Sequence, residues 1–113
     1  MSSAADRFKA ACRKWRAKFG LTDWRFVYKT AEDDNEHFGY VTYNWDSRRA
    51  IITLVRDTNG EGNVEATALH ETLHVLLADL LATAAQRGSD THPDVAREEH
   101  RVIERLMSAF GAP

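Results

Sequence analysis

The sequence predicts an α+β domain, a small antiparallel sheet of about three strands packed with an N-terminal, a central and a C-terminal helix. Three observations carry this. Apolar residues recur at helical spacing near the N-terminus, at Phe8, Cys12, Trp15 and Phe19. Aromatic and β-branched runs separated by turn residues fill the stretch from Trp24 to Arg56. A long apolar run from Val64 to Leu81 and a second helical pattern after Pro93 follow. Helices flanking a block of strands make an α+β order rather than an alternating one.

A chain of 113 residues suits one domain, 1–113, with a single modest core. Its 43% hydrophobic and 28% charged residues are those of a soluble globular protein. A net charge of −2 gives no global pull toward nucleic acid or anionic membrane, so nucleic acid is not the expected partner. No stretch approaches the ~20 apolar residues of a membrane span. Six basic residues between Ala4 and Lys18 exclude a signal peptide's apolar run. The single cysteine, Cys12, excludes an internal disulfide and suits a reducing, cytoplasmic setting. It shares a helix face with Phe8 and Trp15, which makes its role packing.

The first helix, residues 4–19, should stop at Gly20. Its basic residues Arg7, Lys9, Arg13, Lys14, Arg16 and Lys18 spread around the outer arc and read as a solvated face. Trp24 to Tyr28 is the first strand. The acidic run Glu32 to Glu36 is a loop, without the glycine and ligand spacing of a calcium site. Phe38 to Trp45 and Ala50 to Arg56 form a hairpin around Asp46-Ser47-Arg48. The second of these is apolar on both faces, as a covered strand would be. Asn63 is a plausible N-cap for the central helix, which should run to about Arg87 and stop at Gly88. Ser89 to His92 form a linker, and Pro93 opens the last helix.

The chemistry is concentrated in His70-Glu71-Thr72-Leu73-His74. Histidines at i and i+4 lie one turn apart on one helix face, so both imidazoles can reach one metal ion at ~2.0–2.1 Å. Glu71 points toward the same cleft, where it can act as general base on water. His-Glu-x-x-His is the zincin metalloprotease signature. The bland alternative is a pair of core histidines satisfied by carbonyls or carboxylates. The helix is apolar almost all round, however, and a metal compensates buried imidazoles well. Zinc is the expected cofactor, with His70 and His74 as ligands.

Two histidines leave a catalytic zinc one protein ligand short. Asp79 falls about 180° from His70 on the wheel and faces away. The last helix is the better source. Measured from Val95, Glu99 falls at about 40°, near the middle of its apolar stripe, while His100 at about 140° points off it. Glu99 is therefore the expected third ligand, with Glu98 on the stripe's edge as runner-up. Tyr40, Tyr43, His92 and His100 could each stabilise an oxyanion, and the sequence selects none of them.

The chain resembles the compact metallopeptidases found in phages and prophages, which share their plan with the SprT-like minimal zincins. The resemblance rests on Leu21-Thr22-Asp23-Trp24-Arg25 after a first helix and on a strand ending Ile51-Ile52-Thr53-Leu54. It rests further on Leu69 to Leu77 around the histidine motif and on a closing Glu98 to Leu106. It covers most of the chain, and the zinc motif is its one specific part. It implies a minimal zincin-like fold and a zinc-dependent peptidase with the motif histidines as ligands and Glu71 as base. With glutamates on the last helix, the site is expected to be gluzincin-like.

The expected function is thus a zinc metallopeptidase, a hydrolase acting on a peptide or protein substrate, with the strand over 50–56 as the candidate sheet edge to receive an extended peptide. The rival is a zinc-stabilised binding module that cleaves nothing and docks a protein or nucleic acid. Glu71 argues against it, because a purely structural zinc site has no use for a general base, and such sites tend to fill all four positions with protein ligands.

Overall fold

The strand most apolar on both faces, Arg49–Val55 (β3), lies in the middle of the sheet. The computed structural model describes residues 3–32, 38–55, 63–87 and 93–111. Around β3 lie β1, Arg25–Ala31, and β2, Gly39–Asn44, in the order β1-β3-β2. β2 pairs antiparallel to β3, as the hairpin requires, with Val41 opposite Ile52 and Tyr43 opposite Ala50. β1 pairs parallel to β3, with Phe26 opposite Ala50 and Tyr28 opposite Ile52. The sheet is therefore mixed, where an antiparallel one was expected. The chain passes from β1 to the far edge and returns through the centre. A strand paired on both sides and covered by helices must be apolar on both faces, and Ile52, Thr53, Leu54 and Val55 are all buried.

Four helices complete the fold: α1, Ala4–Lys18; α2, Val64–Leu76; α3, Ala78–Arg87; and α4, Pro93–Ala109. Ser3 caps α1 by accepting from the Asp6 amide at 3.1 Å. At the other end Gly20 takes φ +69°, while the Gly20 and Leu21 amides return to the Ala17 and Arg16 carbonyls. These paired bonds satisfy carbonyls that the helix end would orphan, and glycine takes the left-handed position without strain. Asn63 caps α2 through the Ala66 amide at 2.9 Å. The single helix expected over 64–87 breaks at Leu77. Just past the break the Trp45 indole donates to the Ala78 carbonyl at 2.9 Å, tying the hairpin to the kink.

Three adjoining clusters form the core. Phe8 and Cys12 of α1 meet Ile52, Leu54, Val64 and Ala68. Trp24 and Leu21 meet Ala50, Val75 and Ala78. Leu69 and Leu73 of α2 receive Ile103 of α4, which is wholly buried. Trp15 and Phe19 stack at 5.4 Å, and Phe110 leans on both at 5.2 and 5.7 Å. α4 is thereby held at its middle and at its end.

Arg48 locks the hairpin turn to the rest. It is the one non-glycine residue with positive φ among those described, at 55°. Its guanidinium forks onto both oxygens of Asp79, at 2.6 and 3.0 Å, and also meets Asp23. It lies 4.2 Å over the Trp24 ring. Asp79, then Asp23, pushes the Arg48 pKa above its already high value. Asp79, which the wheel turned away from the metal, is used here.

No helix among the described residues is long and apolar enough to cross a membrane. The expected helix stop at Gly88 and linker Ser89 to His92, the acidic run beyond Glu32, and residues 56–62, which include the expected strand end at Arg56, lie outside the described residues.

Candidate metal centre

α2 presents His70 and His74 one turn apart, their ring centroids separated by 5.0 Å. α4 crosses beside them and adds His100, whose ring lies 5.1 Å from His74 and 6.0 Å from His70. One donor nitrogen from each of the three lies within 4.8 Å of the others. Tetrahedral nitrogens at ~2.0–2.1 Å from zinc stand roughly 3.4 Å apart. Closing that difference takes about an ångström of side-chain rotation, which χ angles supply without moving a helix.

The hydrogen bonds orient the rings for this. Glu99 accepts from His74 Nδ1 at 2.8 Å, and both side chains are nearly buried, 9% and 15% exposed. His100 donates from Nδ1 to the Ala96 carbonyl one turn back, at 3.0 Å. In each ring the proton sits on Nδ1, and Nε2 is left with its lone pair to give to a metal. Burial lowers the His70 pKa from 6.5, and the neighbouring His74 and His100 lower it further. The neutral imidazole, the ligand form, is favoured there. The donor set therefore fits a metal ion that accepts nitrogen ligands.

The three histidines open on a cavity of about 250 Å³ that Glu71 and the β2 residues Gly39, Tyr40, Val41 and Tyr43 also line. Glu71 is buried, at 6% exposure. Burial, and secondarily the charge on Glu99, raises the Tyr43 pKa, which keeps its phenol a hydrogen-bond donor. On the far side of the motif Thr72 Oγ1 donates to the Ala68 carbonyl at 2.7 Å. The Cys12 thiol beside it is pushed up to about 12 by burial and packs in the core, outside the group of three histidines.

Two placements differ from the sequence expectation. Glu99 lies against His74 and outside the group of three, while His100, expected to point away, completes it. The wheel was centred on Val95, whereas the residue that anchors α4 is Ile103. Ile103 falls at about 80° on that wheel, so Glu99 and His100 straddle it, at about 40° to one side and about 60° to the other, respectively. Both reach the α2 face, one from each flank. Glu98 pairs with Arg101 at 3.1 Å on the exposed side. The second difference concerns the sheet. The strand expected over 50–56 was the candidate for receiving an extended peptide, yet β3 is paired on both edges. Among the described residues, the free edge beside the histidines belongs to β2. Tyr40 and Tyr43 are at the cavity, and His92 lies outside the described residues.

β2 comes this close to α2 because of a glycine. A Cβ on Gly39 would stand 2.8 Å from Thr67 Cγ2 and 2.9 Å from the Thr53 carbonyl oxygen, with Glu71 Cγ at 3.7 Å. Gly39→Ala must push the strand off the helix. Such overpacking costs about 1–3 kcal/mol, and the midpoint of thermal unfolding should fall by roughly 5–10 °C. An unchanged midpoint would mean that the strand does not approach the helix this way.

No family model, curated protein or solved structure matches this chain.

Proposed function

We propose that the protein is a zinc metallopeptidase that hydrolyses peptide bonds. The observation that carries this reading is the convergence of His70, His74 and His100 on the cavity that Glu71 also lines. Three imidazoles that leave a position open are the ligand pattern of catalytic zinc, while structural zinc sites tend to close all four positions. Zinc held there would supply Lewis acidity, bringing the pKa of water to about 7 and polarising a carbonyl oxygen.

The chain's own groups do the rest. Glu71 takes the proton from the attacking water and passes it to the departing amine nitrogen. Glu99 holds the His74 ring in one tautomer and orientation. Tyr43, on the same strand face as Gly39 and Val41 and lining the cavity, would donate toward the oxygen that gains charge. An extended peptide adding to the free edge of β2 would lay its backbone past the histidines. The setting we propose is cytoplasmic, in keeping with a single buried thiol.

The test is a peptide-library digest read by mass spectrometry, with zinc-loaded protein beside a chelated control. New cleavages should appear in the zinc arm alone. Their absence from a protein that demonstrably holds zinc would overturn the reading. Binding itself shows in stability. At zinc a hundredfold above its Kd the gain is about 2.7 kcal/mol, a rise in melting midpoint of roughly 10 °C.

That gain should depend on pH in a fixed direction. His70 has a lowered pKa, so whatever stability its neutral form lends is full above 6.5 and is lost as pH falls. Protons also compete with metal for all three imidazoles. The difference in melting midpoint between zinc and chelator should therefore shrink steadily as pH drops from 8 to 5, values set to bracket about 6.5. A difference independent of pH would exclude histidine ligation.

A further inference from the structure

We infer that the seam between α1 and β1 is a binding groove for single-stranded nucleic acid, independent of the metal centre. Two adjoining concavities run along this seam, of about 630 and 250 Å³, and both reach Tyr28. Lys9, Arg13 and Arg16, spaced four and three apart, form one stripe of α1 on its rim. Arg25, Lys29 and Arg48 join them from the sheet side. The acids in the same lining are Asp6 and Asp23, and Asp23 is already paired with Arg48. A chain with net charge −2 has thus gathered six cations along one seam, of which Arg48 is already held by Asp23 and Asp79 and Arg16 also donates to the Trp24 and Thr22 carbonyls.

These cations are interleaved with aromatic rings. Lys9 Nζ and the Arg13 guanidinium lie 5.7 and 6.0 Å from the Tyr28 ring centre, and Arg16 lies 5.7 Å from that of Phe26. The remaining cations of α1 are used elsewhere: Arg7 forks onto Glu65, while Lys14 and Lys18 cover Trp15. So α1 is not evenly solvated, as its wheel suggested. β1 has seven residues. A groove along it is roughly 20 Å long, enough for about four nucleotides, the short end for single-strand grooves. An acidic peptide would use the cations alone. A single strand uses them through its phosphates and also uses the half-buried faces of Phe26 and Tyr28 through its bases. The groove lies at the β1 edge, across the sheet from the β2 edge where the histidines sit.

The probe is a fluorescein-labelled oligo(dT) of about 12 nucleotides, followed by anisotropy on the full chain. Three or four phosphate contacts give a salt slope near −2 to −3, so affinity should fall roughly 20- to 50-fold between about 50 and 200 mM salt. Lys9 and Arg13 are exposed, so Lys9→Glu/Arg13→Glu should fold normally by circular dichroism and lose at least about tenfold in affinity. Lys14→Glu/Lys18→Glu makes the same charge change off the groove and should stay within about threefold. Equal losses in the two variants would reduce the effect to net charge and overturn the assignment. So would no binding at low salt, or displacement of the oligonucleotide by polyglutamate at equal charge.

Discussion

His100→Ala should weaken zinc binding by two to three orders of magnitude, more than any other change outside the motif. Structural zinc sites bind with about 10–16 kcal/mol spread over four ligands, so one ligand carries about 3–4 kcal/mol. Glu99→Gln should cost less, about 10- to 100-fold, because it loosens the ring of a ligand without removing one. His100 stands at the solvent-facing mouth of the group, so alanine leaves the α4 anchor at Ile103 untouched. Competition titration against a chromogenic chelator measures both variants on one scale. The reverse order, with Glu99→Gln the more damaging, would make Glu99 the ligand and require α4 to turn about its axis. Melting midpoints of the chelated variants should lie close to wild type, which separates metal loss from unfolding.

That pair of variants also marks where the sequence stopped being informative. The motif helix was legible because its signals are local: a capping asparagine, an apolar run and two histidines one turn apart. The α1 stop at Gly20 was legible for the same reason. What lay beyond was the contact between helices distant in sequence. On α4 the apolar stripe is broad, and a wheel centred on Val95 or on Ile103 chooses different polar neighbours. Only the packing of Ile103 against Leu69 and Leu73 selects the centre. The hairpin was likewise readable from its turn, whereas the parallel pairing of β1 with β3 depends on a connection between strands that no local pattern encodes. The double-sided apolarity of Ile51 to Val55 was a true signal of a central strand, and it argued against that strand's offering a free edge. Arg48, placed by a turn and paired with two carboxylates far away in sequence, left no trace that spacing could find.

Glu71→Gln should abolish hydrolysis while leaving zinc affinity within about threefold of wild type. Glutamine keeps the shape of the side chain and loses its basicity, and a general base contributes 10²–10⁴-fold, roughly, to such a reaction. The carboxylate lines the same cavity as the three histidines and is buried among them, on the helix that carries two. Turnover of a substrate found in the peptide-library digest should therefore drop below about a hundredth of wild type. The zinc titration supplies the independent readout. A variant that binds zinc and retains wild-type turnover would strip Glu71 of the base role. A variant that loses zinc along with activity would make the carboxylate part of the metal's hold. Only the loss of turnover with zinc retained fits the proposed division of labour, in which histidines would hold the metal and Glu71 would move the proton.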